Sequence, residues 1–474
     1  MSDVAAVLPH IVRRKVAWRI VPLIFVLYLI AYLDRANVGF ARLRMTESLP
    51  WLDNEVFGWG SGFFFFSGYL LLEIPGALLV EHWSARKWFT RILITWGICS
   101  MGMAFVQNEW QFYLARFLLG LAEAGFFPGV IVYFTHWFPR ADRSRALSGL
   151  VFGIPISMAL GAQLSAFLMQ HDWFGVAGWQ WVFLIEGAPA VLCGIALPFL
   201  MTDRPRQASW LQPNERDWLE QTLERERTEA TGSGGVTIGQ ALRQRSVWIL
   251  ALGILAYNTG GYALGFWLPT FVDNMLRAPE TPIVAASTVG LIATPGEGPL
   301  LATSSLATQV SAPPSALYYL GLVYLCGLGG VVVSGQSSDR TGERKWHCIA
   351  GMVGAGVFLG ISLIPGQPFA LVLLWLCLMY FSGFFWQAPF WVLPTMSMSV
   401  SAAAVSIGFI NICANIGGLL GSPIVGRMKA LEFSDTECMV FLGSCFTAGG
   451  VIIALLRVKT KVATPQAAKR EDTA

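Results

Sequence analysis

Apolar residues in this chain neither alternate nor recur as narrow stripes. They fill long blocks separated by short polar loops. Twelve blocks stand out: 17–38, 56–80, 89–107, 110–134, 146–170, 178–201, 247–270, 315–336, 348–365, 370–394, 401–426 and 437–457. Roughly 20 apolar residues cross the ~30 Å of hydrocarbon in a bilayer. Helices are the open-ended way to satisfy backbone polar groups there, so each block is predicted to be a transmembrane helix. The first block is not expected to be a cleaved leader, because it is too long, carries Asp34 and Arg35, and lacks a small-residue cleavage site.

One long polar stretch interrupts the pattern. Residues 202–246 include Pro213 to Glu220, rich in charge, and Thr231-Gly-Ser-Gly-Gly235, which predicts a short amphipathic surface helix followed by a flexible linker. The stretch divides the chain into 1–201 and 247–457, six blocks each, with a tail at 458–474. An internal repeat supports the division. Gly335-Gln-Ser-Ser-Asp339-Arg340-Thr-Gly342-Glu-Arg344-Lys345 aligns with Ala77-Leu-Leu-Val-Glu81-His-Trp-Ser84-Ala-Arg86-Lys87, and both fall after the second block of their half. The expected fold is an all-α membrane protein with twelve transmembrane helices in two pseudo-symmetric six-helix bundles. Residues 271–314, rich in Thr, Pro, Ala and Ser, are expected to be a loop insertion between the seventh and eighth blocks.

Composition agrees with this layout. The chain is 55% apolar and 13% charged, where a soluble protein carries about 25% charged residues. The net charge of +3 is small, but its distribution is informative. With an inside amino terminus, Arg13, Arg14, Lys15, Arg19, Arg86, Lys87, Arg91, Arg140, Arg143, Arg145, the arginines of 204–245, Arg340, Arg344, Lys345 and Arg457 all fall inside. Arg42, Arg44, Arg277, Arg427 and Lys429 fall outside. The positive-inside rule therefore predicts a multi-pass inner (plasma) membrane protein with both termini cytoplasmic. The eight cysteines lie mostly in apolar blocks with no CxxC spacing, and read as packing residues rather than metal ligands or disulfides. No metal, cofactor or nucleic-acid site is expected. HExxH, GxSxG and GxxxxGK[ST] patterns are absent, which argues against an enzyme and against direct ATP drive.

The candidate chemistry is the charge inside the blocks. Asp34 and Arg35, with Asn37, end the first block, and Arg116 and Glu123 lie in the fourth. Each charge costs roughly 2.5–3.5 kcal/mol at the bilayer centre on insertion scales, so such residues are usually functional. Arg116 and Glu123 are two helical turns apart and share a face with Gly120 between them. Asp34 and Arg35 diverge by about 100°, so one can face the fourth helix and the other a cavity. Two readings remain open: static ion pairs that fix packing, or a site where an anion takes the arginine and the released acid takes a proton. The second half has no charge deep in a block. It offers Tyr257, Asn258, Tyr262, Ser382, Gln387, Asn411 and Asn415, suited to substrate hydroxyls or to hydrogen bonds between helices. Glu73 is a further acid, either a relay or a group reaching the inner polar region. Glu186 is expected to be structural.

Several motifs carry a family resemblance. They are the 335–345 loop with its copy at 77–87, Tyr32-Leu-Asp34-Arg35-Ala-Asn37, Ser67-Gly-Tyr69 with Glu73-Ile-Pro75, Arg116 to Gly129, Phe266-Trp-Leu-Pro-Thr270, and Asn411 with Asn415-Ile-Gly-Gly418. Over nearly the whole chain except 271–314 and the tails, the sequence resembles the major facilitator superfamily, and within it the anion:cation symporters, near bacterial permeases for tartrate and similar organic acids. The resemblance implies proton-coupled symport of a small organic anion, such as a hydroxylated mono- or dicarboxylate, by a monomer in the lipid bilayer. It implies Asp34 and Glu123 as proton sites, Arg35 as the carboxylate ligand and Arg116 as the residue that tunes the acids. Tyr69, Asn411 and Asn415 would line the cavity, and Asp339, Arg340, Gly342 and Arg344 would form the gating loop. Glu81-His82 and Glu73 depart from the usual Asp-Arg and Gln of the family. An anion antiporter, a uniporter or a non-transporting sensor of the same fold are the alternatives.

Overall fold

The computed structural model describes residues 2–231, 238–277, 315–398 and 400–457. Among them, 12 helices are long and apolar enough to cross a membrane. They are α1 (Leu8–Ser48), α2 (Asn54–His82), α3 (Ala85–Phe105), α4 (Glu109–Thr135), α5 (Arg140–Leu168) and α6 (Gly178–Leu200), then α7 (Arg245–Arg277), α8 (Ser315–Thr341), α9 (Lys345–Ser362), α10 (Phe369–Phe390), α11 (Ser406–Ala430) and α12 (Asp435–Ala454). Each overlaps one apolar block of the sequence. α7 continues to Arg277 because Phe271 and Val272 are buried and Asp273 pairs with Arg277 at 2.6 Å. The rest of the expected loop, 278–314, and the tail, 458–474, lie outside the described residues.

Helix starts follow local chemistry. Asp53 accepts from Val56 N at 2.8 Å, Asn108 from Gln111 N at 3.0 Å, and Ser84 from Lys87 N at 3.1 Å. Ser434 and Glu437 form a reciprocal capping box at α12. Each satisfies amide donors that a helix leaves free at its first turn.

Packing repeats with an offset of six. α1 packs on α5 and α6 as α7 does on α11 and α12, α2 on α4 as α8 does on α10, and α3 on α6 as α9 does on α12. Between the halves, α2 lies against α11 and α5 against α8, and α1 meets α7. This is the two-fold pseudo-symmetry of repeated bundles. Small residues permit the close approaches. A Cβ on Gly120 of α4 would sit 2.0 Å from the Phe65 carbonyl oxygen of α2. Gly120→Ala is therefore expected to cost about 1–3 kcal/mol through overpacking, read as a lowered unfolding temperature in detergent.

Two helices break regular geometry beside the buried charges. α2 opens into a π-helical turn at Gly60–Phe64, a feature frequent at functional sites. α4 stops at Glu123 and restarts at Phe126, with Gly125 left-handed at φ 80°. Pro128 in the first turn of the second segment needs no amide partner there.

The polar stretch between the halves contains the helix Pro213–Thr231, docked under the first bundle. Lys15 pairs with Glu215, the Arg140 amide donates to Glu226 at 3.0 Å, and Trp210 stacks on Trp137. The repeated loops differ in their contacts. In the second half Arg344 donates to Asp339 at 2.7 Å, Gly342 turns at φ 68°, and Arg340 is exposed. In the first half Asp203 accepts from Ser84 Oγ and the Arg86 amide, both at 2.8 Å, and Glu81 meets buried His136 at 2.9 Å. Burial pushes the His136 imidazole below its usual range, against the pull of Glu81. Glu81 is thus held by His136, just beyond α4, and its carbonyl by Arg204 of the linker at 3.2 Å.

Candidate functional site

A cavity of about 660 Å³ lies between the bundles. It extends from Arg35 toward Leu78, Leu147, Ser148 and Val392, near the face with the basic loops. The opposite end is sealed by contacts between halves. Ser61 and Ser422 share a hydrogen bond of 2.6 Å, Arg427 reaches Glu55 at 3.1 Å, Arg42 donates to Thr270 at 3.4 Å, and Gln170 donates to the Tyr318 hydroxyl at 2.6 Å.

Among the described residues, three charged side chains line the cavity: Arg35 of α1, Glu73 of α2 and Glu123 of α4. Arg35 and Glu123 form an ion pair, with side-chain exposures of 12% and 3%. Arg35 Nε and Glu123 Oε2 keep unused hydrogen-bonding capacity. The guanidinium is framed by the rings of Tyr32, Phe65 and Tyr69 at 5.1, 5.7 and 5.4 Å. Such a frame holds a flat cation in place while leaving its edge available.

The sequence left open which of Asp34 and Arg35 faces the fourth helix and which a cavity. The structure joins Arg35 to Glu123. Asp34 faces α3, not α4 or the cavity, and accepts from Trp96 Nε1, Ser100 Oγ and, at 2.9 Å, Asn37 Nδ2. Arg116 is fully buried and also off the cavity lining. Its Nε and Nη2 donate at 3.4 Å to the carbonyls of Gly60 and Ser61, in the π-helical turn, and it lies 4.6 Å from the Phe65 ring. Among the described residues neither Asp34 nor Arg116 has an ion-pair partner within 4.0 Å. Both are sealed behind the site in this conformation.

Tyr69, Asn411 and Asn415 do line the cavity, with Tyr257, Asn258, Tyr262 and Gln387. Both helix 11 amides are engaged. Asn411 Nδ2 donates to Glu73, and Asn415 Nδ2 lies 3.1 Å from each Glu73 oxygen. The acid whose role the sequence left open thus bridges the two bundles. Glu186 accepts from Ser165 at 2.7 Å away from the cavity, in keeping with a structural role. Sequence reasoning did not single out Trp96 and Ser100 as partners of Asp34. Their spacing of four puts them on one helical face, but the facing residue depends on tertiary register. It also passed over Phe126, Phe127, Phe384 and Trp386 in the cavity wall.

The fold and the inter-bundle cavity define a membrane transporter. A sequence profile of the Major Facilitator Superfamily matches residues 24–422, and the chain belongs to that family. It is a secondary transporter rather than an enzyme. A protein of Agrobacterium vitis named "Putative tartrate transporter" is 38% identical over 447 residues, covering 94% of this chain and 93% of its own. The inner membrane transport protein RhmT of Escherichia coli is 32% identical over 451 residues, covering 95% and 96%. A quinolone resistance transporter of Acinetobacter baumannii is 32% identical over 453 residues, covering 94% and 95%. In architecture the chain is similar to a D-xylose–proton symporter, with a TM-score of 0.68 at 14% identity over 94% of this chain and 98% of that one.

Proposed function

We propose that this protein is an inner-membrane symporter of the anion:cation type, which takes up a small organic carboxylate together with protons by alternating access. The observation that carries the reading is the Arg35–Glu123 pair in the wall of the inter-bundle cavity. With all three cavity charges ionised, the site holds one excess negative charge. An anion cannot join it cheaply unless an acid is neutralised, because like charges at short range disfavour joint ionisation. A carboxylate that takes the edge of Arg35 deprives Glu123 of its partner. The stranded carboxylate then takes a proton from water in the cavity, and one anion enters with one proton.

Asp34 is the second proton site in this reading. It is reached when α1 and α3 part, since its present partners enclose it. Arg116 tunes both acids from behind the site, Tyr69 positions the guanidinium, and Asn411 and Asn415 present amides from the other bundle. The Asp339–Arg344 loop, with Arg340 and Gly342, steadies the inner face. With the basic loops inside, the conformation described is inward-facing and its outer end is shut. A single chain lines the cavity, so a monomer suffices.

Two similarities support the substrate class: the tartrate name of the relative at 38% identity, and neutral hydroxyl and amide groups in the second-half wall. A second reading has a specific observation behind it. The quinolone resistance relative, with the rings of Tyr32, Tyr257, Phe384 and Trp386 in the wall, favours proton-linked exchange of a flat aromatic acid. Purified protein in liposomes, offered labelled hydroxylated and aromatic acids with and without an inward proton gradient, separates the two. Symport gives gradient-dependent accumulation of the hydroxylated acids, whereas uptake of aromatic acids alone, driven by an opposed gradient, selects the second.

The outer seal supplies an independent test of alternating access. Ser61 and Ser422 touch across the halves. The Ser61→Cys, Ser422→Cys double variant is expected to form a disulfide under mild oxidant, to lose more than 90% of transport (roughly the cross-linked fraction) and to recover on reduction. This follows because the outward-open state must separate these positions.

A further inference from the structure

Glu73 sits on the Asn pair as a ligand sits on a receptor. Asn411 and Asn415, one turn apart on α11, turn their Nδ2 groups to a single carboxylate that comes from the opposite bundle. The Tyr262 hydroxyl, 3.5 Å from Asn415 Oδ1, occupies that oxygen and leaves the amide nitrogen for the acid. The titratable groups facing Glu73 are Arg35 from α1, Tyr69 from α2 and Tyr262 from α7, while α11 brings only neutral amides. Glu73 is 4% exposed, yet it lines the same cavity as Arg35.

We infer that the Asn411–Asn415 amides form a second carboxylate subsite, held in the empty transporter by the protein's own Glu73, and that the substrate is a dicarboxylate. One substrate carboxylate takes Arg35 and the other takes the amide pair. The inference rests on the symport reading above and narrows it. Displaced Glu73 loses its amide donors beside an incoming anion of like charge, and takes a proton from cavity water on its carboxylate oxygen. Charge then balances simply. The three ionised cavity groups sum to −1 before loading. A doubly charged substrate on Arg35, with protons on Glu123 and Glu73, again leaves −1. A monocarboxylate on Arg35 needs only the Glu123 proton. Glu73 is thus the acid matched to the second carboxylate, and its contact with α11 links loading to the junction between the bundles.

The test uses the full-length protein in detergent, with dicarboxylic acids of three to six carbons, tartaric acid among them, and the monoamide of each. Titration calorimetry in two buffers of different ionisation heat gives both affinity and protons taken up. The expected result is that the preferred dicarboxylate binds at least 10-fold more tightly than its monoamide and takes up one more proton. Glu73→Gln is expected to remove that extra proton and to flatten the pH dependence of dicarboxylate affinity. Equal affinities and equal proton counts for acid and monoamide overturn this inference while leaving the symport reading in place. Failure of every carboxylate to bind overturns both. If the Gln variant does not fold, the wild-type proton difference decides alone.

Discussion

Arg35→Ala is expected to abolish measurable carboxylate uptake. The guanidinium is the one cation in the described cavity wall, so the anion has no substitute there. Truncating one partner of a buried, hydrogen-bonded charge pair costs about 2–5 kcal/mol, or roughly 30- to several-thousand-fold in affinity. The loss has two sources in this site. The substrate forfeits its charge-assisted bonds, and Glu123 is left unpaired in a wall that already holds Glu73. Arg35→Lys is expected to restore only part of the affinity, because an ammonium keeps the charge but lacks the planar fork that Tyr32, Phe65 and Tyr69 frame. Ligand binding measured on folded, monodisperse protein separates this from loss of structure.

The second large effect is expected at Glu123. Glu123→Gln keeps the size of the side chain and an oxygen that can accept from Arg35, but it no longer takes up a proton. Exchange of substrate across the membrane should survive within a few-fold. Accumulation against a gradient should lose the share carried by one coupled proton, at least 10-fold in the concentration ratio under an inward gradient of about two pH units. The physical reason is linkage: a gradient drives uptake only through a group whose protonation differs between loaded and empty states. Counterflow and gradient-driven uptake, run on the same vesicles, measure the two quantities. A variant defective in both points to folding or to substrate contact instead.

Much of this architecture is legible in the chain. Blocks of about 20 apolar residues can do little but span, and the Gly335–Lys345 repeat marks the second half. Four charges inside the blocks were visible for the same reason: Asp34, Arg35, Arg116 and Glu123 stand out against apolar neighbours. Their partnerships were not. A periodicity argument places residues on a face of their own helix and is silent on which helix faces it. Hence the Arg35–Glu123 pair, which joins α1 to α4, could not be separated from pairings within each segment. Asp34 was expected to share the site, yet Trp96 and Ser100 of α3 enclose it. The break after Glu123 had a local signature in Gly125 and Pro128, whereas the π-helical turn at Gly60–Phe64 had none beyond two glycines. Glu73 illustrates the limit most clearly. Its bonds to Asn411 and Asn415 run between residues more than 330 positions apart, and depend on how the bundles meet.

The most direct measurement follows protons and substrate together. Liposomes containing the wild-type protein, buffered weakly and loaded with a pH-sensitive dye, receive a pulse of the transported carboxylate with no imposed gradient. The expected result is acidification of the lumen that tracks labelled substrate entry, with fewer protons per substrate in Glu123→Gln vesicles. Substrate entry at the full rate with a silent dye would contradict proton coupling through the Arg35–Glu123 pair.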